Sequence, residues 1–320
     1  MDSLRCTASQ SFMALRRKEL GAKRLLLLNP EKKERKMKIS VLIPTYNRKT
    51  MVTEALRKIF SFQPRAYHEV IVSDNHSTDG TEKALFQEFG KQILFTRPKE
   101  HVWAYENWRH SYRQASGTHA HFHWSDDWLV DNLYAQAIER HKKTGANIFV
   151  TSARVVFEDG FNPVYYSQGS DRNLSSRKAL RRLLLSEGRD LPRSPMAYIL
   201  PIESLREAWF QSIPTKDGHD PIQLAIGPDA LLVASALMQE KGRLDILPGP
   251  DVAFRNHADC ISVKNSDLLD LYGHCYLFFA RRYGLRDIEE ALGSAATLSA
   301  TQSKSWSRRL RSFFFPERFV

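Results

Sequence analysis

The chain has 320 residues, 42% of them hydrophobic and 11% aromatic, which suits a folded body with a sizeable core and excludes a disordered or fibrous protein. Its net charge of +11 invites a nucleic-acid reading, but residues 1–36 carry ten Lys and Arg against four Asp and Glu, and residues 301–320 carry five against one. The body between the tails is left almost neutral, which excludes a nucleic-acid partner.

Three cysteines, Cys6, Cys260 and Cys275, lie far apart with no Cys-x-x-Cys spacing. They give neither a disulfide framework nor a zinc site, and a reducing cytosol is expected. No apolar run approaches the ~20 residues of a membrane span. Leu25 to Leu28 is too short for a secretory signal. Residues 1–36 read as a basic N-terminal extension, in which Leu15 to Leu28 is either a basic amphipathic helix or a stretch without structure of its own.

Ile39 to Ile43 is a short apolar run rich in β-branched residues, as expected of a strand covered on both faces. Pro44 ends it, and Thr45 to Arg48 form a loop. Thr50 to Phe62 carries apolar residues at helical spacing, and Val70 to Val72 is a second strand closed by Ser73-Asp74-Asn75. This βαβ unit predicts a right-handed crossover, with two polar strand ends side by side. Such a crevice is where an open α/β sheet binds its ligand.

The text Ile-Pro-Thr-Tyr-Asn-Arg (residues 43–48), followed by Ser-Asp-Asn-His-Ser-Thr-Asp-Gly-Thr (residues 73–81), resembles the family 2 glycosyltransferases of GT-A fold. The resemblance is strong from Lys38 to Asp131 and fades beyond. It implies an α/β fold with a mostly parallel, Rossmann-like sheet flanked by helices. It also implies a nucleoside diphosphate sugar as donor, held by Pro44, Thr45, Tyr46, Arg48, Asp74 and Asn75.

Further along, Glu82 to Phe89 reads as a helix capped by Ser77 or Thr78, and Ile93 to Thr96 as a strand. Val102 to Ala115 reads as a helix, on which the resemblance puts Asn107 beside the donor. His119 to Trp124 is the next strand. His121 and His123 share one of its faces and read as core residues rather than a metal pair. Ser125-Asp126-Asp127 follows at the place of the family's Asp-x-Asp motif, with Ser125 in place of the first carboxylate. A nucleoside diphosphate leaves as an anion, so a carboxylate-bound divalent cation suits this position. The resemblance gives the metal, Mn²⁺ or Mg²⁺, to Asp127 and leaves Asp126 to the ribose or sugar hydroxyls.

Asp131 to Thr144 reads as a helix, Asn147 to Thr151 as a strand, and Arg154 to Tyr166 as a hairpin turning at Asp159-Gly160. A helix at Ser176 to Leu185, a strand at Met196 to Leu200 and a helix at Ile202 to Phe210 follow. Gly227-Pro228-Asp229 then opens a helix, Ala230 to Gln239. The resemblance places its general base here, which makes Asp229 the first candidate, with Asp217 and Asp220 as reserves. After short strands at Leu244 to Leu247 and Val252 to Phe254, Arg255-Asn256-His257 partly matches a family pattern. There His257 touches the pyrophosphate or completes the metal shell. Leu268 to Tyr283 and Asp287 to Ala300 read as helices, and Ser305 to Val320 interleaves aromatics with arginines, as suits a membrane interface.

The expected organisation is therefore a nucleotide-sugar-binding part at 37–150, an acceptor-binding and catalytic part at 151–263, and helices with a basic aromatic tail at 264–320. The expected enzyme is an inverting glycosyltransferase acting on a saccharide or lipid-linked acceptor, in the branch of the O-antigen abequosyl-type transferases. It is expected in the cytoplasm, peripheral at the inner face of the cell membrane through its basic tails. Two other classes stay open. A nucleotidyltransferase making a nucleotide sugar would carry a Gly-rich loop with Lys after the first strand, where this chain has Pro-Thr-Tyr-Asn-Arg. An inactive membrane-docked binding protein would be expected to lack Asp127.

Overall fold

A computed structural model describes residues 36–158, 160, 163–165, 173–185, 191–240 and 242–293 of the chain, and its main unit begins at Met37. The expected N-terminal helix, the aromatic tail and the hairpin turn at Asp159 lie outside the described residues.

In chain order the first half comprises β1 (Ile39–Thr45), α1 (Lys49–Ser61), β2 (Glu69–Asp74), α2 (Thr81–Glu88), β3 (Leu94–Thr96), α3 (Ala104–Arg113), β4 (His119–Phe122), β5 (Trp128–Leu129), α4 (Leu133–Thr144) and β6 (Ile148–Val150). The second half comprises β7 (Ala153–Phe157), β8 (Val164–Tyr165), β9 (Asn173–Ser175), α5 (Ser176–Leu185), β10 (Tyr198–Pro201), α6 (Pro221–Leu224), α7 (Pro228–Gln239), β11 (Arg243–Ile246), β12 (Val252–Asn256), α8 (Ile261–Lys264) and α9 (Leu271–Arg282).

Among the described residues the main sheet runs in the order β3-β2-β1-β4-β10-β6-β11-β9. β1 pairs in parallel with β2 and β4, and β2 with β3. β10 enters antiparallel between β4 and β6. All seven residues of β1 are buried, which accounts for its largely apolar text. β1 runs two residues past the expected end at Ile43 because β2 accompanies it to the Thr45–Asp74 pair. Pro44 is tolerated there: pairing with β4 stops at Leu42, so the missing N–H removes no bond on that side. Helix α3 packs on β1 and β2, and α7 packs on β10 and α9. Almost every residue of α7 is buried, so its apolar text runs all round the helix.

A second sheet, β5-β12-β7-β8, was not legible as such. β12 pairs antiparallel with β5 and parallel with β7, which brings residues 252–256 alongside the segment after β4. The hairpin expected at Arg154 to Tyr166 is present as β7 and β8. The helix expected at Ile202 to Phe210 is a 3-10 turn over Glu203–Ala208, and that expected from Leu268 begins as a 3-10 turn before α9.

Candidate functional site

The two opening motifs lock each other. Asn47, at φ 49°, accepts from the Thr78 amide at 2.8 Å through Oδ1, and its own amide donates to Ser77 Oγ at 2.8 Å. Asp79 accepts from the Lys49 amide at 2.8 Å and from the Thr81 amide at 3.0 Å. Asp79 thus serves the start of α2, whose cap is Gly80 at φ 85°, in place of the expected Ser77 or Thr78.

This frame presents two strand ends. Thr45 Oγ1 and Asp74 Oδ1 belong to a register pair, and both atoms are buried with no hydrogen-bond partner among the described residues. Unpaired buried polar atoms are costly, so two of them on facing strand ends mark a place where a polar ligand fits. Asp74 Oδ2 is already engaged: Arg97 reaches it at 2.7 Å, and the Ser77 amide at 3.1 Å. Tyr46 is 45% exposed at the rim, with its ring 4.6 Å from that of His101.

Two residues read as donor contacts make hydrogen bonds inside the fold. Asn107 accepts from Ser73 Oγ at 2.6 Å and donates to the Ser73 carbonyl at 3.0 Å, which ties α3 to the end of β2. Asn75 clasps the backbone of Val102, donating to its carbonyl at 2.7 Å and accepting from its amide at 3.0 Å. Both side chains shape the crevice from behind.

The acidic turn after β4 is tied from β12. Arg255 donates its amide to Asp127 Oδ1 at 2.9 Å and its Nε to the Asp126 carbonyl at 3.1 Å. The Arg255 guanidinium pairs with Glu54 and lies 4.9 Å from the Trp128 ring centre. Asp126 Oδ2 meets Arg48 Nη1 at 2.8 Å and His257 Nε2 at 3.1 Å. The two carboxyls therefore differ. Burial works against charge on Asp126, but His257 and then Arg48 outweigh it and hold the group below the usual carboxylate range. Burial pushes Asp127 well up, and the charge of Asp126 pushes it further.

The sequence reading joined His257 to Asp127, whereas the geometry joins it to Asp126. Asp126, His257 and Cys260 have ligand atoms within 4.8 Å of one another. Cys260 donates to the Arg255 carbonyl at 3.0 Å, and burial pushes its thiol up to about 12, so it suits a hard divalent ion poorly. A carboxylate oxygen suits Mn²⁺ or Mg²⁺, whereas an imidazole nitrogen suits Mg²⁺ poorly, so Asp126 would be the anchor and His257 would contribute to holding Mn²⁺ rather than Mg²⁺. His121 and His123 are buried core residues that burial keeps neutral, as read from the sequence.

Asp229 stands in the first turn of α7. Its Oδ2 accepts from the Tyr272 hydroxyl at 3.0 Å, and its Oδ1 is buried with no hydrogen-bond partner among the described residues. Burial lifts the carboxyl to about 6, near the value useful to a general base. Two adjacent residues link this region to the acidic turn. Ser194 accepts from the Trp124 indole at 2.8 Å, and Arg193 lies 5.8 Å from the Tyr272 ring centre. Of the reserves, Asp220 caps α6 through the Ile222 amide at 2.9 Å, and Asp217 is exposed beside Gly218 at φ 75°.

The glycosyl transferase family 2 model matches residues 40–199, half of the chain. The chain belongs to this family. The uncharacterized glycosyltransferase YfnE of Bacillus subtilis is 34% identical over 108 residues, 33% of this chain and 27% of that protein. The abequosyltransferase RfbV of Salmonella typhimurium is 30% identical over 118 residues, 36% of this chain and 35% of that one. The match thus spans well under half the length of either relative.

S. aureus TarS, residues 1–349 in complex with UDP-GlcNAc, is similar in fold: TM-score 0.57 at 17% identity, over 75% of this chain and 66% of that chain. Its complex with UDP gives a TM-score of 0.54, also at 17% identity, over 78% of this chain and 72% of that one. The family and the α/β fold of GT-A type expected from the two opening motifs are borne out.

Arg97, Cys260 and Tyr272 were given no place at the site from the sequence, and Arg255 was read only as part of the pattern around His257. Arg97 directly follows β3, so the rule that ligands gather at strand ends could have found it. Cys260 and Tyr272 carry no local signal.

Proposed function

We propose that this protein transfers a sugar from a nucleoside diphosphate sugar to a hydroxyl of a saccharide or lipid-linked acceptor, with inversion at the anomeric carbon. The observation that carries this reading is the pair of unsatisfied buried atoms, Thr45 Oγ1 and Asp74 Oδ1, on facing strand ends. A nucleoside supplies the hydroxyls and ring nitrogens that would satisfy them, and Tyr46 offers an exposed ring face at the rim.

Asp126, with His257, would hold a divalent cation, which when bound neutralises charge developing on the departing diphosphate. Arg48, 2.8 Å from Asp126, would supply a guanidinium to the same diphosphate. Asp229 Oδ1 accepts the acceptor hydroxyl's proton as the new oxygen–carbon bond forms and the bond to the diphosphate breaks. One displacement with one base inverts the anomeric centre.

We place the enzyme at the inner face of the cell membrane, in polysaccharide synthesis. No described helix is long and apolar enough to cross a membrane. Support comes from the basic surplus of residues 1–36 and 301–320 and from the aromatics of the C-terminal tail.

The test is thermal stabilisation by a set of nucleotide sugars, with and without Mn²⁺. A nucleoside diphosphate sugar should raise the melting temperature more with Mn²⁺ than without, and Asp74→Ala should abolish the gain. A chain that responds to none, or equally well as Asp74→Ala, does not bind its donor here.

A further inference from the structure

The N-terminus of α7 is pressed onto α9 more closely than a side chain at the contact would allow. Gly227 caps α7 at φ 96°, and a Cβ there would lie 2.6 Å from Cys275 Sγ and 3.4 Å from Tyr272 Cα. Only glycine fits both the backbone angle and the gap. The approach brings the first turns of the two helices together, Asp229 on one and Tyr272 on the other.

An acid that merely complements a helix dipole sits at the surface, and its carboxylate is free to turn. Asp229 differs in that its two oxygens are inequivalent. Oδ2 is held by the Tyr272 hydroxyl at 3.0 Å, and Oδ1 is closed off from solvent with its lone pairs unused among the described residues. The Tyr272 ring cannot swing away easily: it is buried, and it packs edge-on to Tyr276 at 6.1 Å.

We infer that Tyr272 is a positioning residue for Asp229, fixing the carboxylate through Oδ2 so that Oδ1 is the basic oxygen. The inference rests on Asp229 serving as the general base. Tyr272 also sets the pH at which that base becomes available. Burial raises the Asp229 carboxyl, while the Ala230 amide, the Tyr272 hydroxyl and the Arg193 charge oppose the rise. The remaining titratable groups nearby are Tyr276 and Cys275 on α9, with Asp220 beyond Cys275, and burial keeps the phenol and the thiol neutral. Loss of the Tyr272 donor therefore leaves burial less opposed, and the carboxyl moves further up.

The test reads the carboxyl directly. In protein labelled with ¹³C at aspartate carboxyls, the Asp229 signal is identified by its loss in Asp229→Asn and followed from pH 4 to 9. Tyr272→Phe should raise its midpoint by about one unit, the size expected for one hydrogen bond to a charged group. Site-directed 3-fluorotyrosine at position 272 keeps the packing but makes the hydroxyl a stronger donor, and it should lower the midpoint. This second variant decides the matter if Tyr272→Phe does not fold. A midpoint that stays put in the fluorotyrosine protein, or in a folded Tyr272→Phe, overturns the inference.

The reading of Asp229 as base is tested apart from this. The probe is hydrolysis of whichever nucleotide sugar gives the largest thermal stabilisation. Asp229→Asn should lose that activity at every pH, whereas Tyr272→Phe should lose about tenfold only on the acid side and recover above it. Retained hydrolysis in Asp229→Asn removes the base assignment whatever the titration shows.

Discussion

Arg48 and Asp126 form an ion pair at 2.8 Å across the mouth of the crevice, with side chains 22% and 11% exposed. A cation of the protein's own thus neutralises the carboxylate that a divalent ion would need. Arg48→Gln should therefore bind Mn²⁺ more tightly in the absence of nucleotide. A part-buried pair contributes about 1 kcal/mol, or roughly fivefold in affinity. Titration calorimetry with Mn²⁺ alone checks this, and unchanged or weaker binding would remove the competition. Asp126→Asn should lose the Mn²⁺ response. Asp127→Asn should keep it and be no less stable at pH 7, since burial already favours the neutral acid and an amide oxygen can still accept from Arg255. The reverse pattern would return the ion to Asp127.

Thr45→Val separates ligand binding from stability. The hydroxyl has no partner among the described residues, so its loss should leave stability unchanged or improve it by up to ~1 kcal/mol. Affinity for the nucleotide should fall by about five- to tenfold, the worth of one hydrogen bond. Urea unfolding and calorimetry on the same samples read the two effects. A destabilised variant with intact affinity would make Thr45 a structural residue.

Asp229→Asn should cost ~10²–10⁴-fold in turnover with donor binding nearly normal. It should also change how stability depends on pH. The carboxyl titrates at about 6 in the folded chain against an ordinary 3.8, so the folded state holds the extra proton between these values. Its contribution to stability is therefore largest at low pH, falls as pH rises through that window, and is level above it. Urea midpoints from pH 4 to 8 should lack that fall in Asp229→Asn. An identical slope would mean that the group titrates normally.

Removal of residues 303–320 should release the protein from anionic vesicles. Basic residues near an anionic leaflet contribute ~1 kcal/mol each, and salt should weaken the binding of the full chain. Sedimentation with vesicles is the measurement. Equal partition of the two forms would locate any membrane contact elsewhere.

The strand ends were legible because their chemistry is local. An apolar run ended by Pro44 with Thr45 just after it, and another closed by Asp74, can each be read without knowledge of the other, and the parallel βαβ rule sets them side by side. The interlock of Asn47 with Thr78, and of Asp79 with Lys49, is why the two motifs occur as a linked text. The difference between Asp126 and Asp127 was not legible. It depends on Arg48 and His257 meeting the first carboxyl and the Arg255 amide the second, and the pairing of β12 with β5 leaves no trace in periodicity when β5 is two residues long. Asn107 shows a second limit: an amide on a helix looks alike whether it faces ligand or Ser73. Tyr272 shows a third, since its partner is 43 residues distant and the meeting depends on the absence of a side chain at Gly227.

The acidic turn is held from both halves of the chain: Arg48 reaches Asp126 from the first motif, Arg255 and His257 reach the turn from β12 and the residue after it, and Glu54 of α1 pairs with Arg255. The halves are therefore not interchangeable units. A hybrid joining the first half of this chain to the later half of another family member should keep the turn in place only where the incoming half supplies partners for Arg48, Glu54 and Asp127.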